Sequence, residues 1–358
     1  MRPLLLCARA CSAAAAAAPL TATAPLAEDA TLADVAARNA AWRRQVAQSA
    51  DGWIRAENID RSIFAYGMSA RPYKLRTLLL RDEGSAPLAH DLISWLGLQT
   101  QASAPLEYLE IGVSVLKCVS TLVHAWRGAS ITAFDVEDPN PTQSDRWGAP
   151  SVLATWPLSG LRAAQTFRRP DGKEVHPLSF LSGDQMSHWP ATHATHRNSI
   201  YYVASDAMNI SGWRELARLR LGRRRGLGGG PFNLVLSDGL HTAAALSWEI
   251  SQMKAGGFLA RTADGPLTIM WDDCAGRMYH SVRAAVRPVA AALERSDLCF
   301  ASFRVPGWAG VNEPLHPTCL LTSLSPAVLA RVLPANVSCA PLSSTRAGAK
   351  GQSLRTIN

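Results

Sequence analysis

The stretch Tyr108–Cys118, YLEIGVSVLKC, decides how the rest of the chain is read. A short apolar run ends on Glu110 and Gly112, and apolar residues then recur at helical spacing at Val115, Cys118, Val119 and Leu122. A strand that stops at a glycine turn and feeds a helix is the unit from which open α/β sheets build nucleotide sites. Ser114 stands where the cap of that helix belongs.

Outward toward the C-terminus the same alternation recurs. ITAFDVE (131–137), SIYYVASD (199–206), FNLVLSDG (232–239) and LTIMWDD (267–273) read as strands. Helical patterns follow at 114–126, 209–219, 242–253 and about 278–292. LCFASFRV (298–305) and TCLLTSL (318–324) come last with no helix between them, which predicts an antiparallel pair at one edge. Strand–helix alternation of this kind predicts an α/β fold: a mostly parallel, Rossmann-like sheet with right-handed crossovers and helices on both faces.

Outward toward the N-terminus, 31–57 and 85–100 are helical in pattern and predict a helical region packed on the main domain. The expected organisation is a targeting or disordered segment over 1–30, a helical region over 31–105, an α/β domain over 106–325, and a disordered tail over 334–358. Residues 139–198 form a connector far longer than the roughly 12–15 residues a structureless loop normally spans, and are expected to carry a lid.

Composition narrows the classes. Of 358 residues, 47% are hydrophobic and 18% charged, which suits a globular protein. The longest apolar run is broken by Arg9, so no membrane span is expected. The net charge of +8 is concentrated in RLRLGRRRGLGGG (218–230), read as a solvated connector, and nucleic acid is not favoured. Seven scattered cysteines without a C-x-x-C pair predict reduced thiols in an intracellular compartment. A Cys299–Cys319 bridge between neighbouring strands is the expectation if the chain is secreted. The histidines of HWPATHATH (188–196) have zinc-like spacing without a fixed frame.

The acids carry the functional reading. Asp135, Asp206, Asp238 and the pair Asp272–Asp273 each close a predicted strand, and Glu110 sits in the last turn of the first one. In a parallel sheet these ends share one rim, where ligands bind. Such a rim repels a pyrophosphate, and Gly112 alone does not make a dinucleotide loop. It suits S-adenosylmethionine, which has a cationic sulfonium and amino group, no phosphate, and a ribose diol able to donate to Asp135.

Taken in order, EIGVSVLKC, ITAFDVE, YYVASDAMN, FNLVLSDGLH and LTIMWDDC resemble the motif set of class I S-adenosylmethionine-dependent methyltransferases. The branch most resembled contains metal-dependent small-molecule O-methyltransferases. The resemblance spans roughly 106–324 and implies a seven-stranded sheet. It further implies that Glu110 and Gly112 lie near the methionine part, Asp135 on the ribose and Asp206 near the adenine. This chain departs from the family in its first loop, where Val113 and Val115 replace glycines.

On the acceptor side, three carboxylates at adjacent strand ends repel one another unless a proton or cation intervenes. Asp238, Asp272 and Asp273 are therefore the candidate ligands of Mg²⁺ or another divalent cation. Asp238 and His241 are the candidate catalytic pair, with His241 read as general base, metal ligand or helix-start hydrogen-bonding group. The expected activity is O-methylation of a small-molecule acceptor. A nicotinamide-dependent oxidoreductase and a non-catalytic binding module on the same fold are the other readings.

Overall fold

A computed structural model describes residues 26, 29–48, 87–112, 117–135, 167–168, 174–175, 198–204, 206–223, 229–306, 315–335 and 337–342. Ser114, the histidines of 188–196 and nearly all of the expected lid lie outside these residues. Within 139–198, the two-residue strands β3 (Phe167–Arg168) and β4 (Glu174–Val175) pair with each other.

The main sheet is built from β1 (Glu107–Ile111), β2 (Ser130–Asp135), β5 (Ser199–Ala204), β6 (Leu234–Ser237), β7 (Thr268–Trp271), β8 (Cys299–Val305), β9 (His316–Thr322) and the short β10 (Ala340–Pro341). Their order is β10-β8-β9-β7-β6-β1-β2-β5. Neighbours from β5 to β7 run parallel, and β9 is antiparallel to both β7 and β8. The α/β, mostly parallel, Rossmann-like expectation holds. The predicted antiparallel pair, β8 with β9, lies at one edge of the sheet as expected, with β9 inserted between β7 and β8 and only the two-residue β10 beyond β8. Insertion lets β8, reached by a crossover helix, keep the direction of the parallel strands.

Every residue of β1, β2, β6 and β7 is buried, as expected of strands covered on both faces. On one face pack α1 (Leu32–Gln48), α2 (Ala89–Gln101) and α3 (Lys117–Ala125), burying Val35, Leu92, Trp95, Val119 and Leu122. The other face carries α4 (Ile210–Arg223), α5 (Ala243–Ala255) and α6 (Gly276–Ala292), burying Trp213, Leu246, Ile250, Val282 and Val286. Thr31 and Asp34 cap α1 reciprocally, the Thr31 backbone N–H donating to Asp34 at 2.8 Å. Asn39 donates to Asp91 at 2.8 Å, and the Trp95 indole to the Ala30 carbonyl at 3.0 Å. The described N-terminal helices thus share the core of the sheet.

Three expectations are revised. The basic run is not wholly a solvated connector: α4 continues to Arg223, and Arg220 is buried over the rings of Phe232 and Phe258 while donating to the Gly230 and Phe258 carbonyls. The cysteines are not all reduced. Disulfides join Cys274 to Cys319 and Cys299 to Cys339, and only the buried Cys118 is free among the described residues. Cys299 and Cys319 do sit on paired strands, yet their register offsets them, Cys299 facing Thr322 and Cys319 facing Ser302. Finally, part of the expected tail is ordered: β10 pairs with β8, and Cys339 anchors the approach to it. No helix among the described residues is long and apolar enough to cross a membrane.

Candidate active site

The carboxyl ends of β2, β1, β6 and β7 lie side by side, and the backbone draws them together. Gly112 donates its N–H to the Phe134 carbonyl at 2.8 Å, and Asp238 donates its own to the Ile111 carbonyl at 2.8 Å. Gly112 has φ +81°, and a β-carbon there would collide with the Asp238 carbonyl. A side chain is therefore excluded twice, by backbone conformation and by the closeness of the β6 turn.

Strand alternation sends Leu109 and Ile111 into the α4–α6 core, and Tyr108 with Glu110 toward the opposite helices. Glu110 is buried and accepts a 2.8 Å hydrogen bond from the Tyr108 hydroxyl. Burial raises its pKa to about 8, and the charges of Asp238 and Asp135 push the same way, against the lowering effect of the Tyr108 bond. Asp135 is also buried at the end of β2. Asp206 differs: it is exposed and its carboxylate accepts the Met208 backbone N–H at 2.8 Å, an aspartate turn.

Across the β6–β7 boundary the carboxylates are interleaved with imidazoles. His241 bridges two of them, its Nε2 3.2 Å from Asp238 Oδ1 and its Nδ1 2.9 Å from Asp273 Oδ2. It does not hydrogen-bond the start of α5, because Thr242 caps that helix, accepting the Ala245 N–H at 3.1 Å. His316, at the start of β9, stands 3.5 Å from Asp272 Oδ2 and 3.3 Å from Asp273 Oδ1. Asp273 adopts φ 50°, a left-handed conformation that turns its carboxylate between the two rings.

Each titration shift here follows from this interleaving. Burial and the charge of Asp272 raise Asp238, against the lowering effect of His241. Burial lowers His241, but Asp238 and Asp273 outweigh it and bring it to about 11. Asp272 and Asp273 raise His316 to about 10, and the two imidazoles hold Asp273 well below the usual carboxylate range. These directions belong to the metal-free site; a bound cation would be the largest local charge and reverse several of them.

The family resemblance implies a divalent cation, and the donor set fits one. Asp272, Asp273 and His316 each offer an atom, all within 4.8 Å of one another. The predicted set was Asp238, Asp272 and Asp273. The structure groups the two acids that follow β7, Asp272 and Asp273, with His316, and pairs Asp238 with His241 beside them.

Two residues near the rim were missed by sequence reading. His316 was legible in principle, since the start of an antiparallel strand lies level with the carboxyl ends of its parallel neighbours. Glu249 is buried on α5, accepts a 2.6 Å hydrogen bond from the Ser237 hydroxyl, and is raised to about 7 by burial. Inside a helical pattern it carried no signal.

No protein-family profile and no curated protein matches the chain. Among solved structures, an O-methyltransferase candidate from Klebsiella pneumoniae aligns at 12% identity and TM-score 0.32, covering 74% of this chain and 94% of that one. Cofactor-bound Rv0187 from MTB aligns at 14% and 0.31, covering 75% and 97%. A SAM-dependent methyltransferase from Agrobacterium tumefaciens aligns at 12% and 0.31, covering 65% and 59%. Scores this low leave function to be argued from the chain's own residues.

Proposed function

We propose that the chain is an S-adenosylmethionine-dependent methyltransferase acting on an oxygen of a small molecule, with a divalent cation at the acceptor side. The observation that carries this reading is the gathering of two buried carboxylates, Glu110 and Asp135, at the neighbouring strand ends beside the Gly112 turn. There the Gly112 N–H donates to the Phe134 carbonyl, and the charge of Asp135 adds to burial in raising Glu110. Carboxylates gathered in this way bind a cationic ligand better than an anionic one. S-adenosylmethionine brings positive charge and a ribose diol; a nicotinamide dinucleotide brings a pyrophosphate to the same place.

In this reading Glu110 faces the cationic methionine part, which would displace the proton that burial leaves on it. Asp135 accepts from the ribose diol, and Gly112 lets the cofactor approach the β1 turn. Asp206, already engaged in its own turn, offers at most an outer contact to the adenine. Ser114, a cofactor-binding candidate and the expected cap of the following helix, lies outside the described residues. Methyl transfer is an in-line displacement, so the enzyme needs alignment and a deprotonated acceptor. Asp238 is the group assigned to take the acceptor proton, and His241, held by Asp238 and Asp273, orients it. Asp272, Asp273 and His316 would hold the cation, which when bound lowers the pKa of an acceptor hydroxyl.

Two disulfides support work in an oxidising compartment, in place of the reduced intracellular setting expected from cysteine spacing.

The test is titration of the purified, oxidised protein with S-adenosylmethionine and with NAD(H) by calorimetry, followed by incubation of a metabolite extract with labelled methyl donor. Binding of S-adenosylmethionine alone and label on an oxygen support the reading. Preference for NAD(H), or no nucleoside binding at all, overturns it.

A further inference from the structure

We infer that His316 is a direct ligand of the divalent cation, and that its imidazole makes this a mixed nitrogen–oxygen site selecting a transition ion such as Mn²⁺ over Mg²⁺. The inference rests on the cation proposed above and adds the identity of the ion and of its third protein ligand.

Convergence separates His316 from its neighbour His241: a single nitrogen of His316, Nδ1, faces both Asp272 and Asp273, whereas His241 turns its two nitrogens to two different acids, Asp238 and Asp273. The 2.9 Å separation of His241 from Asp273 is that of a charge-assisted hydrogen bond. His316 sits farther from both of its carboxylates, at 3.5 and 3.3 Å. Donors about 2.0–2.2 Å from one ion stand roughly 3–3.6 Å apart, by the geometry of tetrahedral and octahedral coordination. The His316 spacings fall within that edge length, as does the 3.2 Å from His241 to Asp238, but only His316 brings one donor atom together with an oxygen from each of Asp272 and Asp273. Asp273 therefore presents one oxygen to each imidazole: Oδ2 to His241, which orients it, and Oδ1 toward His316 and the ion. Such an outer histidine is the usual second layer of a metal centre.

The frame is rigid where the ligands need it. Cys274, directly after Asp273, is covalently joined to Cys319, three residues beyond His316. The Cys274 N–H also donates to the Pro317 carbonyl at 2.6 Å. Both ends of the ligand set are thus tied by a bond that no fluctuation of the turn breaks. Mg²⁺ prefers hard oxygen donors and retained water, while imidazole favours the transition series.

The experiment uses the full-length oxidised protein. Calorimetric titration with Mn²⁺ and Mg²⁺ is expected to show at least about tenfold tighter binding of Mn²⁺. Pulsed EPR of the Mn²⁺-loaded protein is expected to show nitrogen coupling from a coordinated imidazole. That coupling should persist in His241→Ala and vanish in His316→Ala, with Mn²⁺ affinity in His316→Ala falling about ten- to hundredfold. Mn²⁺ binding without nitrogen coupling, or equal affinity for Mg²⁺, overturns this inference and leaves the cation reading standing. Failure of the wild-type protein to bind either ion overturns both. The coupling is read on wild type and His241→Ala, so the result does not depend on His316→Ala folding.

Discussion

The two halves of the rim neutralise their carboxylates in opposite ways. Around the β1 and β2 ends, Glu110 is kept from full charge by burial and by like charges, with the Tyr108 hydroxyl as its hydrogen-bond donor. Around the β6 and β7 ends, His241 and His316 supply positive charge from the protein itself. In the proposed reading the first half would take the positive charge of the donor, and a metal ion would take over the role that the imidazoles fill in the second.

The sharpest way to break this division is Asp238→Asn. Loss of the proton-accepting group should lower kcat about a hundred- to ten-thousandfold while S-adenosylmethionine affinity, measured by calorimetry, stays within about threefold. Equal loss of both would mean that the halves are one unit.

The next largest effect is expected at the disulfides. Removing either as a paired Cys→Ser variant should cost about 2–4 kcal/mol in denaturant unfolding. Only the pair Cys274→Ser/Cys319→Ser should also weaken divalent-ion binding, because only that bridge flanks Asp273 and His316. Equal loss of ion affinity in Cys299→Ser/Cys339→Ser would blur the distinction.

Asp135→Ala should weaken S-adenosylmethionine binding about tenfold or more, by loss of charge-assisted bonds worth roughly 1.5–3 kcal/mol, and leave divalent-ion affinity unchanged. Unchanged cofactor affinity would remove Asp135 from the site.

The last effect, spread over several pH units instead of read at one, is a pH dependence. The folded pKa of Glu110 is raised from 4.5 to about 8, so the fold binds its proton more tightly than the unfolded chain does. Its contribution to stability is full below about pH 4.5 and declines as pH rises to about 8, by at most about 1.4 kcal/mol per unit. Glu110→Gln, whose amide oxygen still accepts from Tyr108, should flatten that part of the melting-temperature profile by a few degrees. Saturating S-adenosylmethionine should flatten it in the wild type too. A wild-type profile as flat as the variant's would contradict the buried-acid description.

Much of this architecture was readable in one dimension because period and punctuation agreed. Each parallel strand was a short apolar run closed by an acid, and those acids share an edge because parallel strands all end on the same side. What escaped depended on contacts distant in sequence. The position of β9 is set by its pairing with β7 and β8, and His316 comes to the rim only through that insertion. Cys299 was foreseen on a paired strand, but register, invisible in sequence, gave it Cys339. Arg220 looked solvated among its basic neighbours, and is buried because two phenylalanine rings receive its guanidinium. Of the roles read for His241, the helix-start bond is made by the next residue, Thr242, and the imidazole lies between Asp238 and Asp273.

The short strand β10 has a consequence for how copies of this chain meet. Without it, the seven residues of β8 would offer an open ladder to any extended partner. Two residues pinned by Cys339 shorten that ladder and are covalently prevented from peeling away. Pairing of a partner strand with the Cys299–Phe300 end of this margin is therefore opposed for as long as the pin is oxidised. Mild reduction should free that end.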